Sequence, residues 1–423
     1  MQKLLADITP LQESPDFRRL WLGLGLSSIG TQLTVVAVSL EVYSLSQSTL
    51  AVGVLGIFAL VPLVIAGLYG GSIVDAHDRR TVALLSAGVL WLVTICIALQ
   101  AWLGVHEVLV LYLLVAVQSA AAGINQPARS AIIPRLVRRE LLPAANALSM
   151  IVFGLGTTVG PLAAGVLVAS VGYSWTYTVD VLTFTASLWA LFKLPSLPPE
   201  GAVRRAGFRS VLEGLKFLGS RPNVRMTFLV DLCAMIFAMP RALLPAVGAV
   251  WLGGGAATAG LLLAAIAAGS LLAALFSGPL GHIRRQGLAV VWSITIWGAS
   301  ITGMGTVILL GGHYAGQGTS PWIIGAVFAL VVSGVADSVS GVFRSTILQS
   351  ATPDNMRGRL QGVFIVVVAG GPRLGDLFAG GTGQRLGEAM AAIVGGILCI
   401  LAVWLMARLQ PRFLRYDALH PEP

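Results

Sequence analysis

A chain of 423 residues with 56% hydrophobic and only 11% charged side chains, and a mean hydropathy of +0.85, excludes a water-soluble globule, because soluble domains carry roughly a quarter charged residues. The net charge of +9 would suit a nucleic-acid binder, but the charges stand in short clusters between long apolar runs, as membrane topology demands. Cys96, Cys233 and Cys399 lie inside those runs without metal or disulfide spacing and read as small apolar fillers.

In chain order, Met1–Asp16 lacks the apolar core of a cleaved signal peptide, so the first membrane helix is expected to direct insertion. Apolar runs follow near residues 20–43, 50–73, 81–103, 108–133, 144–169 and 173–193. Each is long enough to cross about 30 Å of hydrocarbon as a helix. The second and third runs are joined by Gly70-Gly71-Ser72-Ile73-Val74-Asp75-Ala76-His77-Asp78-Arg79-Arg80. So short a charged hinge makes the two helices antiparallel neighbours. The fifth run carries Gly156-Thr157-Thr158-Val159-Gly160-Pro161, then Gly165. Small residues at i and i+4 let helices approach closely, and Pro161 removes one backbone donor and favours a bend.

The polar stretch Pro195–Pro222 interrupts the series, and within it Val211, Leu212, Leu215 and Leu218 share one helical face, which predicts a short helix on the membrane surface. A second series lies near 224–250, 257–281, 287–311, 321–349, 356–380 and 386–408. The pattern predicts an all-α membrane protein of twelve transmembrane helices in two six-helix bundles. The bundles would be 1–195 and 223–423, with 196–222 as a cytoplasmic linker. Of the 27 Lys and Arg residues, 22 fall at the termini, in the even-numbered loops or in the linker, which puts both termini in the cytoplasm.

The two bundles repeat each other. Ser14-Pro15-Asp16-Phe17-Arg18 matches Arg221-Pro222-Asn223-Val224-Arg225, 207 residues on, where Gly53 also meets Gly260 and Gly71 meets Gly278. Further along the shift becomes 215, and Arg129-Ser130 meets Arg344-Ser345 while Gly156, Gly160 and Gly165 meet Gly371, Gly375 and Gly380. Parallel repeats of this kind build transporters whose site lies near the bilayer midplane.

No pattern points to catalysis: the chain has no G-x-x-x-x-G-K-[ST] loop, and His77, His106, His282, His313 and His420 form no metal pair. No cofactor is expected. Ionisable groups inside spans are more informative, since they cost several kcal/mol in hydrocarbon and usually face a partner or a cavity. Asp231 and Asp337 are the leading candidates for proton coupling, followed by Asp180 and by Glu41, which is expected at the outer interface. Asp231 falls where the first repeat has Leu24. Arg344 lies two helical turns from Asp337, and Arg373 and Asp376 share a face three residues apart. Arg129 and Arg344, repeated near cytoplasmic helix ends, are expected to gate or pack.

Gly71, Asp75, Arg79 and Arg80 resemble the loop between the second and third helices of the major facilitator superfamily, although Ala76 stands where that family usually has Arg and Asp78 where it often has Gly. Gly156, Gly160 and Pro161 resemble the G-x-x-x-G-P motif of its proton-linked exporters. Gln118, five residues before Gly123, stands where its drug exporters often carry Arg, so no relay through that Arg is assumed. Asn125-Gln126-Pro127-Ala128-Arg129-Ser130, Pro134-Arg135-Leu136-Val137 and Ala145-Asn146-Ala147-Leu148 resemble the bacterial branch of enterobactin exporters and macrolide-efflux proteins. The resemblance implies a proton-coupled exporter of an amphipathic siderophore or drug-like molecule, working by alternating access. It implies a monomer in the inner or plasma membrane of a bacterium, with protons, lipid and a small molecule as partners and no nucleic acid. It also implies that Asp75, Arg79 and Arg80 hold the cytoplasmic side shut. A proton-linked nutrient uptake carrier and a non-transporting membrane receptor or scaffold are the alternatives.

Overall fold

The computed structural model describes residues 7–198, 216–314, 318–351 and 354–417, and among them the long elements are all helices. They are α1 (Pro15–Ser46), α2 (Thr49–Ala76), α3 (Arg79–Trp102), α4 (Val108–Leu136), α5 (Leu142–Phe192), α6 (Pro222–Phe237), α7 (Gly255–Leu275), α8 (Gln286–Gly311), α9 (Ile323–Ser350), α10 (Asp354–Leu386) and α11 (Glu388–Leu409). Among the described residues, ten helical stretches are long and apolar enough to cross a membrane. One of these is double: α5 breaks at Gly172, whose φ of 79° is the left-handed conformation that glycine adopts without steric penalty. The interfacial helix expected over 211–218 lies for the most part outside the described residues.

The outward faces are strongly apolar. Leu275 is 77% exposed, Ile324 75% and Phe328 70%. In water such a surface would drive association, whereas against lipid tails it carries no penalty.

The chain divides into two compact units, one of residues 1–45 with 58–207, the other of 46–57 with 208–423. Helix α2 is therefore shared, its first residues belonging to the second unit. There Thr49 donates its hydroxyl to the Gly380 carbonyl at 3.2 Å, and Gly53 and Gly56 lie against the backbone of Asp376 and Arg373. The first unit is centred on Phe17, Leu20, Ala83, Ala128, Ile132 and Leu191, all essentially inaccessible.

The repeat is visible in packing. A Cβ on Gly156 or Gly160 would collide with Ser28 or Gln32 of α1, and one on Gly371 or Gly375 with Met235 or Met239. Met235 and Met239 follow Ser28 and Gln32 by the same 207 residues that relate the two helix starts. The glycines thus serve the same close approach in each unit, and the helix bundles are pseudo-symmetric.

Candidate transport site

The charged hinge is a staple within the first unit. Asp78 caps α3, accepting from the Thr81 amide at 2.9 Å, and it also accepts from the Leu197 amide at 2.7 Å and from the Ser196 hydroxyl. Partial burial works against the charged Asp78 carboxyl, but these hydrogen bonds outweigh it and hold the group below its ordinary value. Arg79 donates to the Ala131 carbonyl at 3.3 Å, and Arg80 to the Phe192 carbonyl at 2.6 Å, with its guanidinium over the Phe192 ring. The hinge so joins the ends of α3, α4 and α5. Gly71 and Asp75 fall in the last turns of α2, and their side-chain positions lie outside the described residues.

Deeper in the first unit the ionisable groups are separate. Arg129 reaches only hydroxyls, donating to Ser27 at 3.3 Å and to Ser187 at 3.0 Å. Asp180 accepts from Thr34 at 2.5 Å and from Thr183 at 3.3 Å, in space left by Gly30. Glu41 is buried within the protein, 4% exposed. Its carboxylate accepts from the Tyr177 hydroxyl at 2.5 Å and from the Gln100 amide at 3.1 and 3.2 Å. These donors from α3 and α5 replace the water that a buried carboxylate would otherwise need.

The second unit gathers its charges. Arg344 on α9 forms an ion pair with Asp231 on α6, and on its own helix it reaches Asp337 at 3.5 Å. Asp231 and Arg344 side chains are 7% and 12% exposed, whereas Asp337 is 38% exposed. Arg344 therefore ties α9 to α6 with one carboxylate and has a second, more accessible one two turns back. Arg129, its counterpart in the first repeat, meets the Ser27 and Ser187 hydroxyls instead, with Leu24 and Ala122 at the repeat positions of Asp231 and Asp337. Arg241, Arg373 and Asp376 form a further group in this unit; Arg241 is close enough to act electrostatically on Asp337, Arg373 and Asp376. Arg373 and Asp376 attract each other, yet no ion pair within 4 Å joins them. No group of three or more His, Cys, Asp or Glu suited to a metal occurs among the described residues.

The sequence profile described as "Transmembrane secretion effector" matches residues 6–422. The chain belongs to this family. Similar relatives include the enterobactin exporter EntS of Citrobacter koseri, 29% identical over 100% of this chain and 98% of the relative. That of Shigella boydii serotype 18 is 31% identical over 96% and 94%. Among solved structures, the POT family transporter PepTSo aligns over 96% of this chain and 99% of its own with a TM-score of 0.73 at 13% identity. A bacterial homologue of the iron transporter ferroportin, in an inward-facing state, aligns over 95% and 98% with a TM-score of 0.70 at 15% identity.

The secretion-effector chain is thus a multi-pass bacterial membrane protein with a major facilitator fold, and a secondary-active transporter of a small molecule rather than an enzyme. Sequence reasoning placed Arg344 and Asp337 two turns apart on one face but did not join Asp231 to them. It missed Asp78 as a cap, Gln100 and Tyr177 as partners of Glu41, and Arg241 as part of the second unit's charge group. Arg241 could have been found: it is an arginine inside a predicted span, next to Pro240.

Proposed function

We propose that this transporter is a proton-coupled exporter of an amphipathic small molecule of the siderophore or drug-like class, working by alternating access. In this reading twelve helices form bundles 1–195 and 223–423, joined by a cytoplasmic linker 196–222. Both termini face the cytoplasm of the bacterial inner membrane, and the working unit is a monomer. The names of the EntS relatives support the direction and class of cargo.

The observation that carries the coupling is Arg344 between two carboxylates on two helices. With Asp231 ionised, Arg344 locks α9 to α6. A proton on Asp231 removes that attraction and passes Arg344 to Asp337 on its own helix, so α6 is released while the cation keeps a partner. Each pKa unit is worth about 1.4 kcal/mol, and one charge moving through 100 mV about 2.3 kcal/mol. Either biases two states a few kcal/mol apart. Asp75, Arg79 and Arg80 act as cytoplasmic gate residues, away from the cargo. Asp180 and Glu41, each satisfied by neutral donors, serve the first unit's packing in this scheme.

The test is substrate accumulation in proteoliposomes driven by an imposed pH gradient. Asp231→Asn should abolish gradient-driven accumulation and preserve passive counterflow. Uphill transport by Asp231→Asn with unchanged pH dependence would overturn the assignment, and loss in Asp337→Asn alone would move the coupling proton to Asp337.

A further inference from the structure

Helix α6 stops short of a full span. After Phe237 the chain passes through Ala238 and Pro240 into a 3-10 turn at Arg241–Leu243, an α turn at Leu244–Ala246 and a π turn at Val247–Trp251. Pro240 and Pro245 explain the break, since neither has an N–H to donate and each ring crowds the preceding turn. Irregular backbone at membrane depth is tolerated where it is buried in protein or lines a water-filled cavity, and π turns are frequent at functional sites.

Arg241 opens this irregular segment and is exposed. The neighbouring α10 presents Arg373 and Asp376 from a stretch whose Gly371 and Gly375 pack on Met235 and Met239 at the end of α6. Three features then lack an internal explanation. Neither the Arg241 nor the Arg373 guanidinium makes a hydrogen bond or an ion pair among the described residues, and the two groups are close enough to repel. Asp376 is 8% exposed, and its buried Oδ1 has no hydrogen-bond partner. Finally, the first repeat has Thr34, Thr158 and Pro161 where the second has Arg241, Arg373 and Asp376. Packing is therefore satisfied without these charges. Two unengaged guanidinium forks match an oxyanion, and an orphaned buried acceptor calls for a donor beside it.

We propose that the second unit contains a ligand-binding subsite in which Arg241 and Arg373 hold an oxyanion, a carboxylate or phenolate, while Asp376 accepts from an adjacent hydroxyl or N–H of the same molecule. The proposal rests on the transport reading and deepens it by giving the cargo an acidic, hydroxyl-bearing group. It does not involve Asp231 or the coupling proton.

Equilibrium dialysis of labelled salicylate and of its neutral analogue salicylamide, on the full-length protein in phosphatidylcholine nanodiscs at neutral pH, tests it. Salicylate should bind at least about tenfold more tightly than salicylamide, and Arg241→Gln and Arg373→Gln should each remove that advantage. Arg373→Lys should restore part of it, and Arg385→Gln, at the exposed outer end of α10, should leave it intact. A thermal melt on each variant confirms that the protein is folded. Equal binding of the two probes, no salicylate binding at millimolar concentration, or unchanged affinity in both Arg→Gln variants would overturn the subsite. So would loss of salicylate binding on adding phosphatidylglycerol, which would make a lipid headgroup the occupant. No proton gradient is applied, so the coupling scheme can fail while the subsite stands, and the reverse.

Discussion

Asp78 shows how much one half-buried carboxylate can organise. Its three acceptor contacts join the start of α3 to Ser196 and Leu197 beyond α5, and replacing a capping Asp by Ala costs about 1 kcal/mol in ordinary helices. Because the folded state holds this carboxyl below its ordinary value, its contribution is complete above that value and is lost as pH falls through the lower, folded one. The difference in melting temperature between wild type and Asp78→Ala should thus be constant from pH 7 to about pH 5 and shrink below about pH 4. A difference that grew on acidification would mean that Asp78 is not an ionised cap. Asp75 can be probed in the same preparation. As a gate residue, its Asn variant should slow export while leaving equilibrium binding within about threefold, an effect below 0.7 kcal/mol. Loss of binding in a folded Asp75→Asn protein would place it at the cargo instead.

Helix-scale packing was legible where one residue type suffices to explain a contact. Glycines at Gly156 and Gly160, repeated at Gly371 and Gly375, announced close approach, and the structure supplies the surfaces they meet. The break after α6 was less legible, because the run 224–250 is apolar throughout its flanks and Pro240 and Pro245 were outweighed by hydropathy. Partners on other helices were not legible. That Glu41 would be buried depended on Tyr177 and Gln100 arriving from distant positions, which no local pattern encodes. The packing reading of the Gly160 motif makes its own prediction. Gly375→Leu and Gly160→Leu should each destabilise by about 1–3 kcal/mol through overpacking, whereas Gly88→Ala, which meets nothing within 4 Å, should gain up to about 1 kcal/mol of helix propensity. Thermal melts in detergent with parallel transport assays decide it. Transport lost by Gly160→Ala at an unchanged melting temperature would give the motif a role beyond packing.

Across the whole molecule, the duplicated framework and the charges obey different rules. The framework repeats, down to which position of one helix receives which glycine of another, because close packing in lipid leaves few alternatives. Inside the spans most charges do not repeat: Asp231, Arg241, Asp337, Arg373 and Asp376 replace Leu24, Thr34, Ala122, Thr158 and Pro161, while Arg344 keeps its counterpart Arg129. The fold was therefore readable from hydropathy and period, and the site only from exceptions to them. Orientation rests on a third kind of evidence, the placement of charge outside the spans: in the twelve-span reading, 22 of 27 basic residues would fall on one side. Basic loops near helix ends resist translocation, so a periplasm-active alkaline phosphatase fused after His106 or within 313–319 should be active. The same reporter within 201–205 should be silent, and a fluorescent protein that folds only in the cytoplasm should give the opposite pattern. Cytoplasmic activity at both outer positions would invert the protein. Activity on the same side at His106 and at 201–205 would break the odd count of three spans between them and remove the two-bundle arrangement on which the proposed exporter depends.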